Sequence, residues 1–577
     1  MTVEQQLQEA VKKAAGKVPA GFSVEISMPD RAEMGDYATS IAMKLAPTLK
    51  QPPIEIAKVI AERLQKDKTL AEIVDRVESV PPGFVNIFLR DEWLAAKAGK
   101  IVQEGERYGT AEPQKKQKVQ VEFISANPTG PLTLANGRGG FIGDAIARVL
   151  IAAGHDVTRE YYVNDGGEQV KKLGSAVLAQ WGVPVPYPED ELYKGAYVED
   201  LAEQLAKDYK PSGTLTEDER LQLLETVTRE ATNAMLGEIK RVVTKKARIP
   251  MDEWYSEKSL ERRGLIIETI KELQRKNLVQ EKDGALWLKL SALSEGTDDS
   301  DKVVVKSNGQ PAYILPDIAY HRDKFGARRF TRVIDLFGAD HQSTAKILPP
   351  ALQALGSPAP EILLMQMVRL ISDGKEVKMS KRAGTFVTLE ELLDELGESG
   401  SDVARWFFIE RTPNTHMNFD LALAKDTSDK NPVFYVQYAH ARCCAILRKA
   451  QQHTNGHENE NEMTRKTRKG GGGLSVKSTR SKSDSAVRVT HPSERGLVRE
   501  LVKLPDFVLR ISESLEVHHL TTYATDVAKA FSAFYRDCPV LSGDEEQMTS
   551  RLALVQATQT VLANTLGLMG IRAPETM

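Results

Sequence analysis

Apolar residues recur at helical spacing over Val3–Ala15, Tyr37–Leu49 and Pro53–Leu64, so the chain is expected to open with three amphipathic helices. Two short runs, Val77–Val80 and Phe84–Leu89, follow with Pro and Gly between them, and read as a strand pair. Residues 1–112 therefore form an α+β unit, closed by a charged linker, EPQKKQK. The texture then changes. VQVEFIS (Val119–Ser125) is a short β-rich run of the kind buried in parallel sheets. It enters a loop rich in Gly, Pro and Asn, ANPTGPLTLANGRGG. The next segment, FIGDAIARVLIAAG, places Ile142, Ile146, Val149 and Leu150 on a helical face and supplies Gly154 as a stop. DVTREYYV (Asp156–Val163) is a further strand, so the stretch is a βαβ unit.

Residues 185–280 turn polar and mostly helical, as an insertion between halves of an α/β fold would. Strand-like runs return at ALWLKL (from Ala285), KVVVKS (from Lys302), RVIDLFG (from Arg332) and EILLMQMVRL (from Glu361). The alternation implies a doubly wound parallel sheet over residues 118–395, with ligands at the carboxyl ends of its strands. Residues 400–577 read as helices; Phe531, Phe534, Tyr535 and Cys538 share one face. Inside them, residues 452–490 are polar, Gly/Ser-rich and basic in their second half, the composition of a flexible stretch.

Composition narrows the function classes. A chain of 577 residues exceeds one hydrophobic core, and about three or four domains are expected. With 77 basic and 80 acidic residues the net charge is −3, so an RNA-binding face would have to be a local patch. Cys443, Cys444 and Cys538 make neither a disulfide framework nor a CxxC zinc pair, so no protein-bound metal is expected. MTVEQQLQEAVKKAAG lacks an apolar signal core, and no spanning segment is evident. The expectation is a cytoplasmic, monomeric protein with no membrane partner.

Four segments carry candidate chemistry, and each has an ordinary reading beside the functional one. In SANPTGPLTLANGRGG, the glycines Gly130, Gly137, Gly139 and Gly140 would let backbone approach a phosphate or ribose, or simply serve a strand-to-helix connection. In VKMSKRAGTFVTLEELL, Lys378 and Lys381 flank Met379 and Ser380 ahead of a helix capped near Thr388. They could hold the β- and γ-phosphates, or form a solvated basic loop. In AYILPDIAYH, Tyr313 and Asp317 are four apart. If Pro316 opens a helix, Asp317 either satisfies free amides of the first turn or pairs with a cationic substrate. In FGADH, Gly338 allows close approach while Asp340 and His341 either bond a ribose or adenine or cap a helix.

Taken together and in order, VEFISANPTGPL, YYVNDGG, ALWLK, PDIAYH, GADH, VKMSKRAGTFVTL and NPVFYVQYAHAR resemble the bacterial-type arginyl-tRNA synthetases over nearly the whole chain, apart from residues 452–490. The resemblance implies a Rossmann-like class I catalytic core with an N-terminal α+β domain that touches the tRNA elbow and a C-terminal all-α anticodon-binding bundle. It implies ATP with Mg²⁺, arginine and an arginine-specific tRNA as substrates, an arginyl-adenylate intermediate, and a need for tRNA in arginine activation. By position in the motifs, Glu122, Ser125, Asn127, Tyr313 and Asp317 would surround arginine. ATP would lie along Ala126, Asn127, Pro128, Thr129, Gly130, Pro131, Leu132, Thr133, Leu134, Ala135, Asn136 and Gly137, with Gly338, Asp340 and His341 beside the adenosine. Lys378, Met379, Ser380 and Lys381 would close over the phosphates. A guanidinium is a planar fork best matched by carboxylates such as Asp317 and Glu122, so rejection of other amino acids needs no editing domain.

One segment departs from the pattern. The family's His-x-Gly-His is replaced by Thr133, Leu134, Ala135 and Asn136, and Arg382 follows Lys381 where serine is common. Thr133 and Asn136 can donate hydrogen bonds but carry no positive charge. Three readings follow: an active synthetase in which Thr133 and Asn136 act with Lys378, Ser380 and Lys381; a catalytically weak or inactive tRNA-binding paralogue; and a Rossmann nucleotidyl-transferring enzyme without tRNA, which leaves the terminal domains unexplained.

Overall fold

The computed structural model describes residues 1–16, 22–29, 31–113, 115–290, 301–312, 314–372, 375–376, 388–466 and 487–577, leaving aside the side chains of 32, 372 and 453–466. Tyr313, Lys378, Met379, Ser380 and Lys381 therefore lie outside the described residues, as does 467–486 of the stretch expected to be flexible. Of that stretch, 452–466 continues the helix Pro432–Lys466.

The first helix spans Val3–Ala15 because Thr2 and Gln5 form a reciprocal cap and Val3, Leu7, Ala10, Val11 and Ala14 present one apolar face. The helix expected from Tyr37 begins only at Ile41. Tyr37–Thr39, all buried, instead form an edge strand antiparallel to Phe84–Leu89, which pairs on its other side with Val74–Val80. Pairing on the ladder overrides the helical spacing there.

The centre is a parallel sheet. We label its elements β1 (Lys118–Glu122), α1 (Leu134–Ala152), β2 (Asp156–Val163), β3 (Glu253–Ser256), α2 (Ile314–Phe325), β4 (Arg332–Gly338), α3 (Gln342–Ala354) and β5 (Glu361–Met365). The spatial order is β5-β4-β1-β2-β3, every neighbour parallel. The chain winds outward from β1 in both directions, so a crevice opens between the carboxyl ends of β1 and β4. Register then does something the strands alone do not announce. Glu122 on β1 stands opposite Glu160 on β2 and opposite Asp335 on β4, a row of three acids across three strands.

Three sequence expectations need correction here. The runs from Ala285 and Lys302 are not in the parallel sheet; with Val279–Lys282 they form a separate antiparallel one. The fifth central strand is β3, inside the range read as a helical insertion, where only four residues betray it. And Leu134–Gly140 are helical rather than loop, because Thr133 caps α1 and the glycines that weaken a free helix here admit close neighbours. A Cβ on Gly143 would lie 2.3–2.6 Å from Phe123, one on Gly137 2.6 Å from Leu389, and one on Gly140 2.8 Å from Ile249. These helical glycines seat α1 against the sheet and its surroundings. Gly143→Ala is accordingly expected to cost about 1–3 kcal/mol by overpacking, read as a lower midpoint in thermal unfolding.

Helices Pro492–Leu501, Leu504–Ser514, His519–Asp537 and Glu545–Leu568 pack with Pro432–Lys466 at the C-terminal end. The N-terminal unit is tied to them by Tyr37 Oη donating to Asp506 Oδ2 (2.8 Å) and by Arg495, which reaches both Asp36 and Asp91. A buried hub joins the core to the exit of the insertion and to the C-terminal tail. Asp144 on α1 accepts from Arg405 Nη1 (2.8 Å), Arg148 Nε (2.9 Å) and Arg159 Nε (3.1 Å), while Arg405 also donates to the carbonyls of Ala247, Arg248 and Met569. Among the described residues no helix is long and apolar enough to cross a membrane.

Candidate functional site

The crevice between β1 and β4 is roofed by α2. The helix begins at Ile314, two residues ahead of Pro316, and Asp317 does lie in its first turn. Asp317, Tyr320, His321 and Lys324 then follow at three- and four-residue steps, so one face of α2 lowers all four towards the acid row. Lys324 is fully buried, its Nζ 2.7 Å from Glu122 Oε2 and 2.8 Å from Asp335 Oδ1. His321 Nδ1 donates to the Asp317 carbonyl (2.7 Å), and its Nε2 lies 2.7 Å from Asp335 Oδ2. The Tyr320 hydroxyl sits between Glu122 Oε2 (2.9 Å) and Glu160 Oε1, and Arg328 grips Glu160 with both terminal nitrogens. Like charges opposite one another in a sheet repel. Here the repulsion is offset by Lys324 and Arg328. Burial alone would raise the Asp335 carboxyl, yet Lys324 and His321 outweigh it and hold it below the usual carboxylate range.

Asp317 is different. Its half-buried carboxylate has no hydrogen-bond partner among the described residues, so the ordinary reading in which it caps its own helix does not hold. Burial, then Glu122, Glu257 and Asp335, push its carboxyl up to about 8, with only Lys324 opposing. Glu257, just past β3, is also pushed up, mainly by burial, and accepts from Tyr162 Oη (2.9 Å). Tyr162 in turn packs against Tyr320 and Tyr255, at ring-centroid distances of 4.7 and 6.2 Å. The result is an aromatic-walled, acid-rich recess in which the Asp317 carboxylate has no hydrogen-bond partner among the described residues.

Glu122 is committed by contrast. Its Oε2 takes Lys324 and Tyr320 while Oε1 accepts from Ser125 Oγ (3.0 Å), and Ser125 Oγ also receives the Tyr162 N–H (3.0 Å). Ser125 and Ile124 are held at φ +39° and +70°. Left-handed backbone at two successive non-glycine residues, one of them β-branched, is strained and persists where the surroundings enforce it. Asn127 Nδ2 donates to Gln169 Oε1 at 2.6 Å.

Beyond Asn127 lies the departing segment. The Thr133 N–H donates to Asn136 Oδ1 (2.9 Å), as does Thr133 Oγ1 (2.8 Å), and the Asn136 N–H donates back to Thr133 Oγ1 (3.4 Å). Both side chains thus close the capping box of α1, which leaves the Asn136 amide Nδ2 as the donor without a protein partner among the described residues. Ala135 is exposed. Leu132 accepts the Leu389 N–H (2.8 Å) and Thr133 bridges to Thr388, so the helix Leu389–Glu395 that follows the Lys378–Lys381 segment is docked directly on this loop. Gly130 faces the Tyr197 hydroxyl of the insertion, 3.4 Å from where a Cβ would lie.

Across the crevice, Gly338 ends β4, and Asp340 and His341 form a single exposed turn, with His341 Nε2 3.7 Å from Asp340 Oδ2. Sequence reading missed Glu160, Glu257, Tyr320, His321 and Lys324. The signal was present for α2, since Asp317, His321 and Lys324 fall on one helical face, but charged positions on a helix ordinarily mark its solvated side.

Three family profiles match the chain: "Arginyl tRNA synthetase N terminal domain" over residues 1–89, "tRNA synthetases class I (R), catalytic domain" over 98–420, and "DALR anticodon binding domain" over 436–577. The chain is 38% identical to an arginine–tRNA ligase of Geobacillus thermodenitrificans, covering 100% of this chain and 99% of that one. It is 39% identical to the arginine–tRNA ligase of Moorella thermoacetica, covering 98% and 97%. The solved arginyl-tRNA synthetase of Thermus thermophilus superposes with a TM-score of 0.77 over 100% of both chains at 24% identity, a likeness of fold.

Proposed function

The chain belongs to the class I arginyl-tRNA synthetases, and from that premise we propose how its own residues divide the work. It ligates arginine to tRNA, consuming ATP. The reading of a catalytically weak or inactive paralogue, and that of a nucleotidyl-transferring enzyme without tRNA, find no support in full-length matches to ligases.

The arginine guanidinium binds at Asp317. One observation carries this assignment: a half-buried carboxylate, Asp317, without a hydrogen-bond partner among the described residues, set among Glu122, Glu257 and Asp335, whose charges act on it against that of Lys324. A bidentate cation fits that deficit, and a planar fork fits a carboxylate better than a point charge does. Glu122, already bonded on both oxygens, forms the rigid wall of the recess, while Ser125, Asn127 and Tyr313 complete the surroundings of the amino acid. ATP, as its Mg²⁺ complex, lies along Ala126–Gly137 and beside Gly338, Asp340 and His341, with Lys378, Met379, Ser380 and Lys381 over the phosphates.

In the first step a carboxylate oxygen of arginine bonds to the α-phosphorus and the bond to pyrophosphate breaks. In the second, the terminal ribose hydroxyl of tRNA bonds to the activated carbonyl carbon, AMP leaves, and the hydroxyl proton goes to solvent or phosphate. Neither step requires a nucleophilic side chain; position and charge supply the rate. In place of the absent histidines, Asn136 Nδ2 donates towards the phosphates while its Oδ1 holds the helix cap. The protein works as a cytoplasmic monomer.

Arginine-dependent exchange between ATP and labelled pyrophosphate, with and without tRNA, tests the reading. Exchange that needs tRNA is expected, and none under either condition with tRNA still bound would overturn it. Asn136→Asp keeps a capping acceptor but removes the donor and adds negative charge. It is expected to lower kcat roughly 10²-fold with an unchanged unfolding midpoint.

A further inference from the structure

We propose that Lys324 is a positioning residue for arginine recognition: enclosed between Glu122 and Asp335, it fixes the wall of the recess and supplies the positive charge against which Asp317 stays available to the guanidinium. The proposal rests on the assignment of Asp317 above and deepens it.

The geometry begins with register. Glu122 and Asp335 are direct neighbours on the parallel strands β1 and β4, so their carboxylates leave the sheet side by side. A buried ammonium bonded to both, at 2.7 and 2.8 Å, offsets the repulsion between the two carboxylates. Lys324 also decides which Glu122 oxygen points where. With Tyr320 it saturates Oε2 and leaves Oε1 towards Ser125, the edge of the crevice. It does not reach the ligand itself.

Its second effect is on Asp317, two turns back along the same face of α2. Of the charged groups that act on that carboxylate, Glu122 from β1, Glu257 from the turn after β3 and Asp335 from β4 all oppose its ionisation, and Lys324 favours it. The Tyr162 phenol from β2 stays neutral, its proton held by burial and by Glu257. Arginine needs Asp317 ionised. Lys324 and Asp335 therefore act in opposite senses: loss of the lysine charge makes Asp317 harder to ionise, and loss of the aspartate charge makes it easier.

A packing residue has no such signature, which gives the test. KM for arginine and KM for ATP are measured between pH 6.5 and 9.5 by tRNA-dependent exchange, on the full-length protein, for wild type, Lys324→Met, Lys324→Gln, Asp335→Asn and Asp317→Asn. In wild type, KM for arginine falls as pH rises and levels off. In Lys324→Met it is expected to rise about tenfold at neutral pH, with KM for ATP within about twofold and the midpoint of the pH dependence moved up. In Asp335→Asn the midpoint moves down. Should Lys324→Met not fold, Lys324→Gln, which can still bond both carboxylates, carries the upward shift. Midpoints that coincide with wild type in folded variants, or that move the same way in the lysine and aspartate variants, overturn the proposal. Asp317→Asn separates the two levels. If it keeps a wild-type KM for arginine, the assignment of Asp317 fails; if it loses arginine binding while the lysine and aspartate variants leave the pH midpoint unmoved, only the role of Lys324 fails.

Discussion

Asp317→Asn is expected to reduce kcat/KM for arginine by roughly two to three orders of magnitude, with KM for ATP little changed. The size follows from what truncation leaves behind. The amide keeps the volume and one acceptor, but a guanidinium in the recess would lose its charge partner, and removal of one member of a desolvated charged pair costs about 2–5 kcal/mol, each 1.4 kcal/mol being tenfold. The same group sets a pH trend. Burial and the neighbouring acids push the Asp317 carboxyl up to about 8, so in the unliganded protein it is protonated at neutral pH. Arginine binding then releases a proton, and arginine affinity rises as pH approaches 8 and levels off above it. Stability of the unliganded protein runs the other way. Because the folded value lies above the ordinary carboxylate value of 3.8, Asp317 stabilises the fold fully below that value. The contribution fades as pH rises through about 8. In Asp317→Asn both trends should vanish, as checked by steady-state kinetics and thermal unfolding across that window. An unchanged pH profile would remove Asp317 from the arginine site.

The largest effect on stability is expected at Asp144→Ala. This carboxylate is wholly buried and holds Arg405, itself fully buried, together with Arg148 and Arg159. Burial alone would raise the Asp144 carboxyl; the three guanidiniums outweigh it and hold it below the ordinary range. Its contribution is thus present above that range and lost as pH falls through the lowered value. Alanine leaves the Arg405 charge in the interior without an anion, a loss of about 3–5 kcal/mol, seen as a fall in Tm on the order of 5–10 °C. Arg405→Met removes the buried charge as well as its partner contacts, so the double variant Asp144→Ala plus Arg405→Met should be more stable than Asp144→Ala alone. If the double variant is the less stable of the two, the hub does not act through charge. Because Arg405 also donates to Ala247, Arg248 and Met569, the loss should weaken the joins from α1 to the exit of the insertion and to the C-terminal tail.

The α/β class, the βαβ opening at Val119–Val163, a helix with Asp317 in its first turn and the helical C-terminal third were all legible in the sequence. Local periodicity and capping chemistry decide such elements, and the ordered motifs from VEFISANPTGPL to NPVFYVQYAHAR pointed to the family. Strand membership was not legible. Ala285–Leu288 and Lys302–Val305 look like core strands but pair elsewhere, and Glu253–Ser256, with four residues and an acid among them, looks like nothing and completes the sheet. Tyr37–Thr39 was drawn into a strand by its partner across the ladder. The helical glycines Gly137 and Gly140, read as room for a phosphate or ribose or as a strand-to-helix connection, also make room for Leu389 and Ile249, which only the tertiary structure shows.

At the site the division is sharper still. Sequence alone named Glu122 and Asp317 as the carboxylates for a guanidinium, and gave no reason to treat them differently. Only the tertiary structure separates them. Register sets Glu160, Glu122 and Asp335 in one row, and that row demands Arg328, which holds Glu160, and Lys324, which with Tyr320 uses up Glu122 on one side. Asp317, one turn from the row and without a partner of its own among the described residues, is left to take the ligand. Spacing along a chain fixes which face of an element a residue occupies. Which charges face one another across elements is decided by strand order and register, which no local pattern encodes.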